Sequence, residues 1–190
     1  MSYTKIIDNL YLGSYMDTLT NKFLQEGFKV VINVARECNN LSNSIEYYKY
    51  DYDDSTSETL DFDEVVDLIH SSIKSNKKVF IHCLAGKSRS ASFVIVYLMK
   101  YLNYSLYDAY NHVNNLRDIY PNLGFMNQMM CYETNKLHRE CSIDYDDIVV
   151  DYIYSVYGLC PRNKIKEIYY NNNKDVEETM ATLFNLNSTV

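Results

Sequence analysis

Between residues 78 and 101 the chain passes from an apolar strand, through a short polar loop with one glycine, into a helix that is apolar on nearly every side. Lys78-Val-Phe-Ile-His82 has the apolar run of a buried strand. From Ser90 to Tyr101 the apolar residues recur around the helical circumference, as in a central buried helix. The loop between them aims several backbone N–H groups and a helix N-terminus at one point, which makes an anion site. This order of elements is half of an α/β unit and restricts the architectures open to the chain.

The flanking sequence extends that pattern. Lys29-Val-Val-Ile-Asn-Val-Ala35 is a second buried-strand run, and Ile45 to Tyr52 alternates less cleanly as a third. Thr59 to Ser75 carries Phe62, Val65, Val66, Leu68, Ile69 and Ile73 as a helical stripe, with Asp61 and Glu64 placed as a capping box. Ser105 with Asp108 caps a helix to about Arg117, and Phe125 to His138 is predicted as one more. Strands alternating with helices predict an α/β fold with a largely parallel central sheet flanked by helices. Asp144, Asp146 and Asp147 then open a different segment, Ile143 to Val190, with eight acids against four bases. The expected division is a main domain over 1–140, a linker over 141–147 and a small all-α segment over 148–190. Its three helices are predicted near Asp147–Tyr157, Asn163–Asn171 and Val176–Asn185, with Asp175 capping the last.

Composition excludes several classes. The longest strictly apolar run, Phe93 to Met99, is seven residues, against the ~20 that a membrane-spanning helix needs. The net charge is -7, the opposite of what nonspecific nucleic-acid or anionic-membrane binding requires, so neither partner is expected. Met1-Ser-Tyr-Thr-Lys5 has no apolar signal core, and five cysteines is an odd count without paired spacing. Reduced thiols and a cytoplasmic location are expected.

The chemistry concentrates in His82-Cys-Leu-Ala-Gly-Lys-Ser-Arg-Ser90. Gly86 lets the loop take a conformation closed to residues with a Cβ. Arg89 at the helix start adds a planar fork suited to two phosphate oxygens. Cys83 faces the same field, which favours its thiolate. Leu84, Ala85, Gly86, Lys87, Ser88 and Arg89 are therefore the expected phosphate-binding loop. His82 is expected to hydrogen-bond around the cysteine and tune its ionisation, and Ser90 to bond the Cys83 sulfur when it leaves. A buried, inert Cys83 in a solvated turn would not require His, Gly, Arg and Ser in this register. A thiolate aimed into a dianion cradle is a nucleophile for phosphoryl transfer, with positioning and charge neutralisation doing the rest.

His82-Cys83-x5-Arg89-Ser90 resembles the signature of cysteine-dependent protein phosphatases. The likeness continues through Asp8-Asn-Leu-Tyr-Leu-Gly-Ser14, Val31-Ile-Asn-Val-Ala35 and Tyr97-Leu-Met99. It also covers Arg117 through Pro121-Asn122-x2-Phe125-x2-Gln128, and so resembles the dual-specificity branch over nearly all of residues 1–140. The resemblance implies a shallow pocket, a cysteinyl-phosphate intermediate, no metal or organic cofactor, and phosphotyrosine and phosphoserine or phosphothreonine in proteins as substrate. It also implies a general acid in the loop before the Thr59 helix. Within Asp51-Tyr-Asp-Asp-Ser55 the family pattern picks Asp54, ahead of a small hydroxyl residue, with Asp53 as the alternative and Asp51 read as a solvated charge.

Asn33 and Asn122 match family positions and are expected to brace loops. His70, His112 and His138 lack partners at ligand spacing and are read as structural, with no metal site. Cys38, Cys131, Cys141 and Cys160 are read as inert; a protective disulfide from Cys83 to one of them, such as Cys38, has no sequence support. In the last segment Tyr157-Gly158-Leu159 with Leu183 and Phe184 resembles ubiquitin-associated and CUE helical modules, which implies an exposed ubiquitin-binding patch. A helical extension packed on the phosphatase domain is the alternative. Other functional readings are a phosphoinositide or RNA 5′-phosphate phosphatase, with Lys87 as the extra loop cation, and a phosphate- or ubiquitin-binding adaptor. The sequence carries no signal for oligomeric state.

Overall fold

The computed structural model describes residues 3–39, 45–158 and 160–187. Its backbone divides into two compact units, Met1–Ser142 and Ile143–Val190.

The first unit is built on a sheet of β1 (Thr4–Ile7), β2 (Leu10–Ser14), β3 (Val30–Asn33), β4 (Glu46–Lys49) and β5 (Val79–Cys83). The spatial order is β1-β2-β5-β3-β4, with β1 antiparallel to β2 and all other neighbours parallel. The sequence pattern does not predict β1 or β2, which are short and joined through Asn9 at φ +62°. β3 and β4 are shorter than the expected 29–35 and 45–52. β3 stops at Asn33 because the Asn33 amide bonds its own loop, accepting the Ala35 N–H (3.0 Å) and donating to the Cys38 carbonyl (2.8 Å).

β5 lies between β2 and β3, so its carboxyl end opens at the middle of the sheet edge, where ligand crevices of parallel sheets form. Val31 and Phe80 pack on one sheet face with Phe23 and Phe28. Strand alternation turns Ile32 and Ile81 to the other, and both are fully buried. Two short helices, α1 (Tyr15–Thr18) and α2 (Asn21–Gln25), follow β2. The longer helices are α3 (Phe62–Lys74), α4 (Arg89–Leu102), α5 (Leu106–Leu116) and α6 (Leu123–Cys131). Residues 89–99 of α4 are all buried, as its unbroken apolar pattern requires. Asp61 accepts the Glu64 N–H (3.3 Å) and Ser105 the Asp108 N–H (3.0 Å), which starts α3 and α5 where expected.

The predicted helix over Phe125–His138 does not run through as an α-helix. After Cys131 it widens into a π turn, Tyr132–Lys136, closed by the Leu137 N–H on the Tyr132 carbonyl (3.1 Å). Within that turn the buried Glu133 carboxylate accepts the Leu106 N–H at the start of α5 (2.7 Å) and the Ser142 N–H (2.9 Å). It thereby satisfies a helix N-terminus that would otherwise be orphaned.

The second unit holds α7 (Tyr145–Tyr157), α8 (Arg162–Asn171) and α9 (Val176–Asn187). α7 begins inside the expected linker, because Asp144 caps it by accepting the Asp146 N–H (2.8 Å). Gly158, at φ +45°, ends it, and Asp175 caps α9 through the Glu178 N–H (2.8 Å). Leu183 does not belong to an exposed patch. It lies one turn after the fully buried Thr179, on the inward face of α9, and is only 2% exposed. Phe184 points outward, at 62% exposure. Leu159 lies outside the described residues, as does the side chain of Tyr157. None of the five cysteines is in a disulfide, and among the described residues no helix is long and apolar enough to cross a membrane.

Candidate active site

The loop after β5 is shaped by what holds its carbonyls. The Cys83 carbonyl meets His82 Nδ1 (3.1 Å), and the Leu84 carbonyl accepts the Tyr15 N–H (3.0 Å). Ala85 and Gly86 offer theirs to the Arg117 guanidinium, at 3.0 Å from Nη2 and 2.8 Å from Nε. The Lys87 carbonyl accepts the Tyr120 N–H (2.7 Å), and that of Ser88 the Ser92 N–H (2.9 Å). In a trans peptide the C=O of one residue and the N–H of the next point opposite ways, and no cis bond occurs among the described residues. Every carbonyl turned outward therefore turns the following N–H inward, from Leu84 to Arg89. The Gly86 N–H marks the direction, lying 3.3 Å from Cys83 Sγ. Gly86 sits at φ +68°, and a Cβ there would be 2.2 Å from the Gly13 carbonyl oxygen, so the loop can close against β2 only with glycine at this position.

Cys83 is 1% exposed, and Ser90, at the first turn of α4, donates its hydroxyl to the sulfur (3.2 Å). Arg89 is buried as well. Its two terminal nitrogens grip Glu37 in a bidentate pair (2.7 and 2.6 Å), and Nη1 also donates to the Tyr52 carbonyl (2.9 Å). Burial works against the Arg89 charge, but Glu37, Cys83 and Asp54 together hold it above its ordinary value. The same pair holds the Glu37 carboxyl below the usual carboxylate range. Arg89 Nε is left buried without a hydrogen-bond partner. Asp54 Oδ2 lies 3.6 Å from it, while Oδ1 receives the Ser88 hydroxyl (2.7 Å) and the Asn122 side-chain amide (2.9 Å).

Asp53 turns away to Arg36 (2.6 Å), and Asp51 pairs with Lys49 (3.0 Å), so only Asp54 of the acidic run stands at the loop. His82 is placed differently from expectation: Nδ1 reaches the Cys83 carbonyl rather than its sulfur, and Nε2 meets the Tyr47 hydroxyl (3.0 Å). Burial pushes its pKa down to about 4, so at neutral pH it carries no charge toward the thiol. Lys87 points away and pairs with Asp118. His70 stacks on Tyr101 (3.7 Å), and His112 meets the Ile6 carbonyl (3.0 Å), as structural histidines do. Among the described residues no cluster of His, Cys, Asp or Glu could hold a metal ion.

Two residues at this site carry no role in the sequence reading. Glu37 follows β3, and only the adjacency of β3 and β5 brings it to Arg89. Arg117 stands 31 residues beyond Gly86 and arrives with the end of α5. A loop after the parallel neighbour of the catalytic strand is the signal that could have found Glu37; Arg117 was marked only as the head of the family-like stretch to Gln128, with no role attached.

Residues 10–135 match the catalytic domain family of dual specificity phosphatases. Protein 123R of Invertebrate iridescent virus 6, which carries a tyrosine-phosphatase name, is 39% identical over 134 residues, covering 70% of this chain and 93% of that protein. Human dual specificity protein phosphatase 16 is 37% identical over 136 residues, covering 68% of this chain but 20% of that longer protein. Among solved structures, human tyrosine phosphatase-like serine/threonine/tyrosine-interacting protein superimposes with a TM-score of 0.65 at 30% identity, over 72% of this chain and 98% of its own. With a strand-loop-helix cradle around Cys83 and Arg89, and a family match over most of its length, the chain belongs to the dual-specificity protein phosphatases.

Proposed function

We propose that this chain dephosphorylates phosphotyrosine and phosphoserine or phosphothreonine in proteins through a cysteinyl-phosphate intermediate. The observation that carries the reading is the buried Arg89 Nε, which has no hydrogen-bond partner and lies at a loop whose carbonyls are each held by a partner while the Gly86 N–H points at Cys83 Sγ. That arrangement is complementary to the equatorial oxygens of a phosphoryl group. Cys83 Sγ attacks phosphorus, the ester oxygen leaves with the bonding pair, and Asp54 protonates it. Water then attacks phosphorus and gives its proton to Asp54, while Ser90 donates to the departing sulfur. His82 acts as a neutral brace on the Cys83 carbonyl. These residues supply every proton and charge the reaction needs, so turnover should persist in a chelator.

Replacing Cys83→Ser tests the reading. Turnover of an aryl phosphate should disappear while vanadate still binds, because the cradle is main chain and Arg89. Turnover above about a tenth of wild type would remove Cys83 from its role. The phosphoinositide and RNA 5′-phosphate readings are weaker, since Asp118 neutralises Lys87 and the chain carries a net charge of -7. The odd count of five cysteines without paired spacing is the support for a reducing, cytoplasmic compartment. For residues 148–190 a ubiquitin-type interaction is the reading that the resemblance implies. It is supported by the left-handed Gly158 that ends α7 and by the exposed Phe184. Unlabelled ubiquitin titrated into the isotopically labelled full chain should perturb α9 resonances near Phe184, and no response at millimolar ubiquitin would dismiss it.

A further inference from the structure

The direction of each hydrogen bond around Asp54 can be derived from main-chain groups that have no freedom to change role. Asn122 caps α6, its side-chain oxygen accepting the Phe125 N–H (3.0 Å). An amide whose oxygen is committed to a backbone N–H must present its nitrogen elsewhere, and that nitrogen stands 2.9 Å from Asp54 Oδ1. Ser88 Oγ lies 3.3 Å from the Asn122 N–H and accepts it, so its own proton is free for the 2.7 Å contact with the same Oδ1. Both neighbours therefore donate to Oδ1, and neither touches Oδ2. A protonated carboxyl carries its hydrogen on one oxygen. On Oδ1 that hydrogen would meet the Asn122 amide nitrogen, which cannot accept it, and would force the Ser88 hydroxyl to turn from donor to acceptor. On Oδ2 it faces Arg89 Nε at 3.6 Å, an ion-pair distance beyond hydrogen-bond reach, so the hydrogen is not set against a donor in direct contact.

We propose that Ser88 and Asn122 are positioning residues that keep the proton of Asp54 on Oδ2, and so choose the oxygen that serves the leaving group. The proposal rests on the reading of Asp54 as the general acid. In the first step the Sγ–P bond forms, the P–O ester bond breaks with its pair going to the leaving oxygen, and the Oδ2–H proton passes to that oxygen. In the second step the water oxygen bonds phosphorus, its proton goes to Oδ2, and the S–P pair returns to sulfur. The two hydrogen bonds to Oδ1 are kept throughout, so the acid need not rotate between its two duties.

The test compares leaving groups. Asn122→Ser keeps a good helix cap but is too short to reach Asp54, and Ser88→Ala removes the other donor. The kcat/KM for phenyl phosphate, whose leaving oxygen needs a proton, is measured beside that for 2,4-dinitrophenyl phosphate, which does not, because kcat/KM reports the step in which the leaving group departs. Each variant should raise the dinitrophenyl-to-phenyl ratio of kcat/KM about tenfold. Equal losses on both substrates in both variants, or an unchanged ratio, overturn the proposal. A purely structural role of Ser88 and Asn122 would give equal losses, because a damaged fold slows both esters alike. Asp54→Asn is run alongside. If it leaves the ratio unchanged, the assignment of the acid fails; if it raises the ratio and the other two do not, only the positioning role fails.

Discussion

Glu37 never meets the substrate in the mechanism above, yet Arg89 depends on it for two of its three hydrogen bonds. Glu37→Gln keeps one acceptor oxygen and sets an amide NH2 against the other guanidinium nitrogen. The substitution removes one charge-assisted hydrogen bond, worth roughly 1.5–3 kcal/mol when shielded. The Glu37 side chain is 42% exposed, and solvent screening reduces that to about 1–2 kcal/mol. Arg89 keeps the Tyr52 carbonyl and stays in place on average, but its Nε is no longer aimed by a rigid pair. If the loss is felt in the transition state, kcat/KM falls by about 5- to 30-fold. Arg89 also binds the ground-state anion, so vanadate inhibition should weaken in parallel. Both are measured with an aryl phosphate at pH 6 to 7. A kcat/KM within twofold of wild type, with vanadate affinity intact, would refute the idea that Glu37 aims Arg89. The pair also has a pH signature. Arg89 depresses the Glu37 carboxyl, so the stability from this pair is present above the unfolded carboxyl value of about 4.3 and is lost only as pH falls through the lower folded value. Any acid limb seen above pH 5 must then come from another group.

His82 gives a slope of the same sign in a higher pH window. Its folded pKa of about 4 lies below the unfolded value near 6.5, so the unfolded chain binds the proton first and stability declines as pH falls between them. Urea unfolding should show a loss of up to about 3 kcal/mol across that window, and His82→Gln should flatten it; an unchanged slope would mean that His82 is not buried neutral. Gly86→Ala should cost roughly 3 kcal/mol or more, since its Cβ would strike the Gly13 carbonyl, and should abolish vanadate binding. Gly27→Ala is the control: it has the same kind of φ, +78°, but open space around it, and should cost only about 1 kcal/mol. Equal losses for the two glycines would show that backbone strain, rather than the close approach to β2, governs Gly86.

Much of the site was legible because it is local. Residues 82–90 are contiguous, and strand, loop and helix there each follow from patterns within one window. Asp54 was reachable through the family pattern, and the structure separates it from Asp53 by the partner each carboxylate finds. Glu37 and Arg117 were not legible, since their roles depend on the order β5-β3 and on where α5 ends. β1 and β2 escaped because short strands of mixed polarity carry little periodicity. The π turn escaped because an i to i+5 ladder leaves the apolar pattern of a helix nearly intact. Leu183 was misplaced for a simpler reason: the local pattern did not show which face of α9 turns inward, and Leu183 shares the face of buried Thr179 while Phe184, about 100° round the helix, is exposed.

The outward-held carbonyls of the loop also bear on how such a phosphatase can diverge. The anion is met by main-chain N–H groups, which every residue but proline possesses, and the loop's shape is set by Tyr15, Arg117, Tyr120 and Ser92 from outside it. The side chains of Leu84 and Ala85 are therefore not spent on phosphate, and both are exposed. They can be exchanged for charged, bulky or small residues while the cradle beneath them keeps its form. Substrate preference can drift at these two positions without passing through an inactive ancestor, and a library randomised there should retain vanadate binding in most of its members while altering which phosphopeptides they prefer.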